Sequence, residues 1–225
     1  MIDIVSATRR TSKDFWSRSA LGISLKRVMA KDPRIKAHIA FCNRKGLPEV
    51  YNARIDAADS QDALVFVHDD VWINDDDFGD RVLEGLRHFD VFGVAGNRRR
   101  LPYQASWCFV DIMLNPDPRE NLSGGITHGE RPPGRQVTFG EFGLPVELID
   151  GVFMAARKSA LQSQGVTFDT RFKFHFYDMD FSRTVRLKGL SMGTWLVNLT
   201  HQSRGAFGSP TWTEQYRAYL EKWEI

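Results

Sequence analysis

The stretch "ALVFVHDD", Ala63 to Asp70, decides how the rest of the chain reads. Five apolar residues run without alternation, which is the pattern of a short strand buried on both faces of a parallel sheet. The run then stops on His68, Asp69 and Asp70. A buried strand ending in two adjacent carboxylates asks what those acids do. Apolar strands and helix-period stretches alternate on either side of it. "MIDIVSA" and "IKAHIAFCN" read as strands before it, and "DVFGVAGN" as a fourth strand after it. "TSKDFWSRSALGISLKRVM" reads as one helix capped by Thr11 or Ser12, with Asp14 favouring its positive end. "LPEVYNARIDAADSQ" reads as a short helix or turn. "DDFGDRVLEGLRHF" reads as a helix with its apolar face on Phe78, Val82, Leu86 and Phe89. This β-α-β rhythm predicts an α/β fold: a single Rossmann-like domain with a mostly parallel central sheet and helices on both faces.

From Asn97 to Pro145 the rhythm stops, and glycine, proline, arginine and scattered aromatics replace it. So long an irregular stretch is usually functional or disordered, and Trp107, Phe109, Phe139 and Phe142 predict that it is packed. Order returns with "VELIDGVFMAAR" as a strand and "KSALQSQG" as a short helix stopped by Gly165. "YDMDFSRTVRLKG" reads as a helix and "SMGTWLVNLTH" as a strand. "PTWTEQYRAYLEKWEI" reads as an amphipathic helix over 210–225 with Trp212, Tyr216, Tyr219, Leu220 and Trp223. The expected layout is one domain over 1–225. It divides into a regular half over 1–96 and a second half over 97–203 that begins with the break in rhythm.

The 225 residues are 42% hydrophobic, enough for one core. Thirty basic and 28 acidic residues leave a net charge of +2, which argues against nucleic acid as a partner. The run Arg98–Arg99–Arg100 reads either as a solvated loop or as a contact for an anionic substrate. Cys42 and Cys108 show neither a disulfide framework nor zinc spacing, and Cys42 reads as a small core residue. No signal-peptide pattern and no apolar run near the ~20 residues of a membrane span is visible, so a cytoplasmic location is expected.

In open parallel sheets, ligands bind beyond the carboxyl ends of the strands. Asp69 and Asp70 lie at such an end, as do Ser6 and Thr8, Asn43 and His201. Adjacent carboxylates in a pocket repel, and a cation relieves the strain. Hard oxygen ligands suit Mg²⁺ or Mn²⁺, an imidazole tilts the choice towards Mn²⁺, and such an ion completes its shell with substrate phosphates. The plainer reading makes Asp70 a turn cap and leaves Asp69 solvated. Asp178 and Asp180 divide in the same way. They are helix-capping acids, or one of them is a general base whose pKa is raised by Phe174, Phe176 and Tyr177. His175 is a rival base.

Four segments, "YNARIDAADSQDALVFVHDDVWI", "VFGVAGN", "ELIDGVFMAARKSAL" and "FDTRFKFHFYDMDFSRTVRLKGLSMGTWLVNLTHQS", resemble family-2-like glycosyltransferases with the GT-A fold, in order and over most of the chain. The resemblance implies a nucleotide-diphosphate sugar donor, a glycan or other hydroxyl acceptor, and a metal-assisted, inverting transfer. It places Asp70 and His201 on the metal, and Asp69 by the ribose or the sugar. Ser6, Thr8, Asn43 and Asn52 fall in the donor pocket. Asp178 takes the part of catalytic base. Asp150 and Gly151, with Tyr177 and His175, fall at the acceptor, where Trp107 is a candidate sugar-stacking platform. The chain departs from the family pattern twice: His68 holds the outer place of an Asp-x-Asp motif, and Tyr177 stands where an acid is common. Two other readings use the same acids. One is a metal-dependent nucleotide-sugar hydrolase or nucleotidyltransferase. The other is a non-catalytic sugar- or partner-binding module, docking a second copy or a partner through the aromatic C-terminal helix.

Overall fold

The computed structural model describes residues 1–203 and 205–224. In chain order the elements are β1 (Ile2–Ala7), α1 (Ser12–Arg18), α2 (Ala20–Lys31), β2 (Ile35–Ala40), α3 (Leu47–Asp56), β3 (Ala63–Val67) and β4 (Val71–Ile73). They continue with α4 (Phe78–His88), β5 (Val91–Gly93), β6 (Ala95–Asn97), β7 (Leu122–His128), β8 (Arg135–Thr138), β9 (Leu148–Ile149) and β10 (Phe153–Arg157). The last are α5 (Lys158–Ser163), α6 (Tyr177–Leu187), β11 (Met192–Thr194), β12 (Leu199–His201) and α7 (Pro210–Lys222).

The central sheet has the order β11-β5-β10-β3-β1-β2. The pairings β1–β2, β1–β3 and β5–β11 are parallel, while β10 runs antiparallel to both β3 and β5. Alternate residues of β3 enter two separate cores. Leu64 and Phe66 pack with Tyr51 and Ile55 of α3 and Phe181 and Val185 of α6. Val65 and Val67 pack with Leu25 and Val28 of α2 and Phe78, Val82 and Leu86 of α4. Helices therefore cover both faces of the sheet, as the unbroken apolar run predicts. Each such buried aliphatic or aromatic side chain contributes about 1.5–3 kcal/mol.

A second sheet, β4-β12-β7-β6-β9 with β8 on β7, was not expected. It arises because three segments read as single strands each bend and divide. "DVFGVAGN" becomes β5 and β6, "VELIDGVFMAAR" becomes β9 and β10, and "SMGTWLVNLTH" becomes β11 and β12. All three segments give one strand to each sheet, as in the register Gly96↔Ile149 beside Met154↔Gly93. Both halves of each segment are buried, so hydropathy shows no seam. The supposedly irregular 97–145 contributes β7 and β8 to this sheet. Arg99 there is tied to the buried Asp117 at 2.6 Å, so this member of the arginine run is structural.

The single helix expected over 11–29 is two. Ser19 has extended backbone, ends α1 by donating its N–H to Phe15, and caps α2 by accepting from the Gly22 N–H at 2.9 Å. The break turns the start of α2 onto the carboxylate turn. The Leu21 N–H reaches the Asp69 carbonyl, and Ser24 Oγ accepts from the Ile73 N–H. Cys42 is exposed, at φ +50°, rather than in the core, because β2 ends at Ala40 and the chain turns outward. The aromatic face of α7 is spent inside the domain: the rings of Trp212, Tyr216 and Tyr219 lie 5.3–5.5 Å from that of Phe176. That face is not available to dock a partner. No described helix is long and apolar enough to cross a membrane.

Candidate active site

Topology brings three distant segments to the end of β3. Because β10 is antiparallel to β3, its beginning lies beside β3's end, and the His68 N–H reaches the Val152 carbonyl at 3.2 Å. Because β12 is antiparallel to β4, His201 pairs with Val71 and the Gln202 N–H reaches the Asp70 carbonyl. The third segment is the start of α6. Phe176 enters it at φ +62°, a left-handed backbone costly for a phenylalanine, held by the three α7 rings. The cavity they share encloses about 560 Å³. His68, Asp69, Asp70, Asp150, Gly151, His175, Tyr177, Asp178 and His201 line it.

His68, Asp70 and His201 place one ligand atom each within 4.8 Å of one another. His201 Nε2 is 3.4 Å from Asp70 Oδ2 and 2.9 Å from Ser203 Oγ. Burial works to raise the Asp70 pKa. The hydrogen bond and charge of His201, with His68 behind it, outweigh that effect and hold the carboxyl at about 2. Burial pushes His68 below its ordinary value, which favours the neutral, ligating ring. Asp70 Oδ1 is buried with no hydrogen-bond partner. An orphaned carboxylate oxygen between two imidazoles fits a divalent cation, and N₂O donors suit Mn²⁺ at least as well as Mg²⁺. His128, whose ring lies 5.9 Å from that of His201, also lines the cavity.

Asp178 is half-buried on the cavity wall. Its Oδ2 accepts from the Gly151 N–H at 3.0 Å and its Oδ1 from the Met179 N–H at 2.8 Å. Burial, helped by the Asp150 charge, pushes its pKa up to about 7, against the backbone hydrogen bonds. That is the range a general base needs at neutral pH. His175 also faces the cavity, and burial pushes its pKa down. Tyr177 donates to the Gly151 carbonyl at 2.7 Å. The Gly151 peptide is thus gripped on both sides, and a Cβ there would strike the Tyr177 hydroxyl and Asp178 Cβ. Gly151→Ala is expected to cost about 1–3 kcal/mol of stability by overpacking. A denaturant midpoint equal to that of the native chain would show that the grip yields.

Four of the residues expected at the donor behave differently from one another. Thr8 Oγ1 donates to Asp69 Oδ2 at 2.5 Å, tying the first strand to the acid pair. Ser6 is fully buried, and it is its neighbour Ala7 that lines the cavity. Asn43 closes its own turn through Lys45 and touches Thr8 only through backbone. Asn52 spends its amide on both the N–H and the carbonyl of Phe168, so it buttresses the fold away from the cavity. Trp107 is 7% exposed and edge-on to Phe139, offering the cavity little face. Phe174, 51% exposed and stacked on His68, offers much more. Cys108 lines the cavity too, but burial pushes its thiol up to about 12, which makes it a poor nucleophile.

Sequence reading missed His68 as part of the cation cluster, although its place beside Asp69 was the available signal. It missed Phe174 as a stacking face and gave no signal for His128, which lies in the stretch without periodicity.

No curated protein matches the chain. Among solved structures it is similar in fold to the catalytic domain of Drosophila beta1,4-galactosyltransferase 7 in complex with xylobiose. That match has a TM-score of 0.51 at 11% identity and covers 96% of this chain and 79% of that one. It is similar also to the mannosyltransferase PcManGT from Pyrobaculum calidifontis in complex with GDP-Man and Mn²⁺. There the TM-score is 0.50 at 11% identity, over 91% of this chain and 58% of that one. Both likenesses concern the fold, which is the GT-A arrangement expected from the four sequence segments. The Glycosyltransferase like family matches residues 35–202, a span running from β2 past His201 and enclosing the cation cluster, the gripped glycine and Asp178. A match over so much of the chain, on the shared fold, makes this protein a member of that glycosyltransferase family.

Proposed function

We propose that the chain transfers a sugar from a nucleotide-diphosphate donor to an acceptor hydroxyl with inversion at the anomeric carbon. The observation that carries this reading is the pairing, in one cavity, of a His68–Asp70–His201 cluster suited to a cation with a carboxyl, Asp178, whose pKa is about 7. His68, Asp70 and His201 would hold Mn²⁺ or Mg²⁺. When bound, the ion supplies Lewis-acid neutralisation of the diphosphate as it leaves. Asp69, fixed by Thr8, faces the donor's ribose or sugar. Asp178 accepts the proton of the acceptor hydroxyl while that oxygen attacks the face opposite the leaving group. Asp150 and Gly151 border the sugar, Phe174 offers it a stacking face, and His175 stands at the acceptor side.

Nucleotide release from a panel of nucleotide sugars, with and without hydroxyl acceptors, tests the reading. Release that needs Mn²⁺ or Mg²⁺ and rises when acceptor is added is expected. Release indifferent to every acceptor would favour a hydrolase instead, and release indifferent to chelator would remove the metal.

A further inference from the structure

Among the described residues, the hydrogen-bond partner of the His68 imidazole is the Tyr177 hydroxyl rather than a carboxylate. His68 Nε2 lies 2.9 Å from the Tyr177 hydroxyl oxygen. That hydroxyl has a single proton, and the proton is committed to the Gly151 carbonyl at 2.7 Å. The oxygen therefore offers His68 a lone pair, and Nε2 must carry hydrogen to meet it. A neutral imidazole has one N–H, so the ring's lone pair is left on Nδ1. We propose that Tyr177 is a positioning residue that holds His68 as the Nε2–H tautomer and so presents Nδ1 to a divalent cation beside Asp70 and His201. The inference rests on reading that cluster as a cation site.

The hold is rigid. Tyr177 is 2% exposed, and its ring is wedged against Tyr51 and Phe168 at 6.0 and 6.2 Å between centroids. The other face of the arrangement is closed by Phe174 stacked on His68. One peptide then serves two ends of the chemistry. The Gly151 carbonyl accepts the hydrogen bond of the Tyr177 hydroxyl, and the Gly151 N–H donates to Asp178. A phenol does this without adding negative charge beside Asp150 and Asp178. Burial, first of all, keeps the phenol protonated.

The test reads tautomer and metal directly, with no donor or acceptor present. Imidazole ¹⁵N spectra of the full chain, with His68 assigned by loss of its signals in His68→Gln, are recorded without metal and with Zn²⁺ as a diamagnetic probe. The expected result is an Nε2–H ring in the metal-free protein and a Zn²⁺-induced shift at Nδ1. Tyr177→Phe keeps the ring and removes the hydroxyl. It should mix the tautomers and weaken Mn²⁺ and Zn²⁺ binding about 10–100-fold by calorimetry, the usual cost of losing a ligand's orienting partner. Tyr216→Phe removes a phenol hydroxyl whose hydrogen bond goes to the Tyr103 carbonyl, not to Tyr177 or His68, and should leave both readouts unchanged. An Nδ1–H ring in the native protein, or equal losses in the two variants, would overturn the proposal. The wrong tautomer with intact metal binding would sink this inference alone. The right tautomer with no metal binding would sink both it and the cation-site reading beneath it.

Discussion

Asp178→Asn is expected to lower kcat by about 10³-fold, the scale of removing a positioned general base. Asparagine fills the same volume and keeps an oxygen for the Gly151 N–H, giving up only the Met179 N–H that Oδ1 accepts, so the wall of the cavity survives. Donor and metal affinity, measured by calorimetry, should stay near native values. The native protein carries its own check. With the Asp178 pKa at about 7, the carboxyl is largely protonated below that pH and cannot accept a proton. Turnover should therefore rise with pH through about 7 and level off above it, and the residual activity of the variant should lack that limb. Stability runs the other way. A carboxyl whose folded pKa is raised costs the folded state nothing below its unfolded value and destabilises it as pH climbs from there through about 7. The asparagine variant escapes that cost, so its Tm should fall less than the native one as pH climbs from about 5 to 8. Turnover unchanged in Asp178→Asn would remove the residue from the base role.

Asp70→Asn attacks the other half of the site and should have the larger effect on binding. It removes the only carboxylate of the three-residue cluster and the charge that holds His201 upward in pKa. Loss of an orienting partner alone costs metal affinity about 10–100-fold, so losing a charged ligand should cost about 100-fold or more. Mn²⁺ titration followed by electron paramagnetic resonance reads this without substrate. Donor affinity should fall with it where Mn²⁺ is present and change little where it is chelated. Equal Mn²⁺ affinity in the native and variant proteins would place the ion elsewhere or nowhere.

The two predictions draw on residues of different legibility. Asp70 announced itself, because polar residues that end an apolar strand are conspicuous in one dimension. Asp178 was legible both as a helix-capping acid and as a candidate base, and the local pattern does not choose between them. What favours the proposed base role is the enclosure of its carboxylate beside Asp150, with a hydrogen bond from the Gly151 N–H 27 residues away. Asn52 shows the reverse. A polar residue in a family-like segment looked like a donor ligand, yet its amide is committed to Phe168, 116 residues away. His68 lay in plain view and was read as a departure from a carboxylate motif. Its part in a cluster depends on His201 arriving beside it.

Sequence by itself determined the strands of the central sheet, most helices, the covering of that sheet on both faces and the acids at its rim. Those follow from hydrophobic period, caps and strand-end polarity, all of which act within a few residues. Only tertiary structure decided the second sheet, the broken first helix, the burial of α7's aromatic face and the meeting of His68, Asp70, Tyr177, Asp178 and His201. An apolar strand reads the same whether it runs parallel or antiparallel to its neighbour. The reversed directions of β10 and β12 are what carry Gly151 and His201 to the end of β3. Strand direction is set by packing across the whole sheet, and no local run of residues states it.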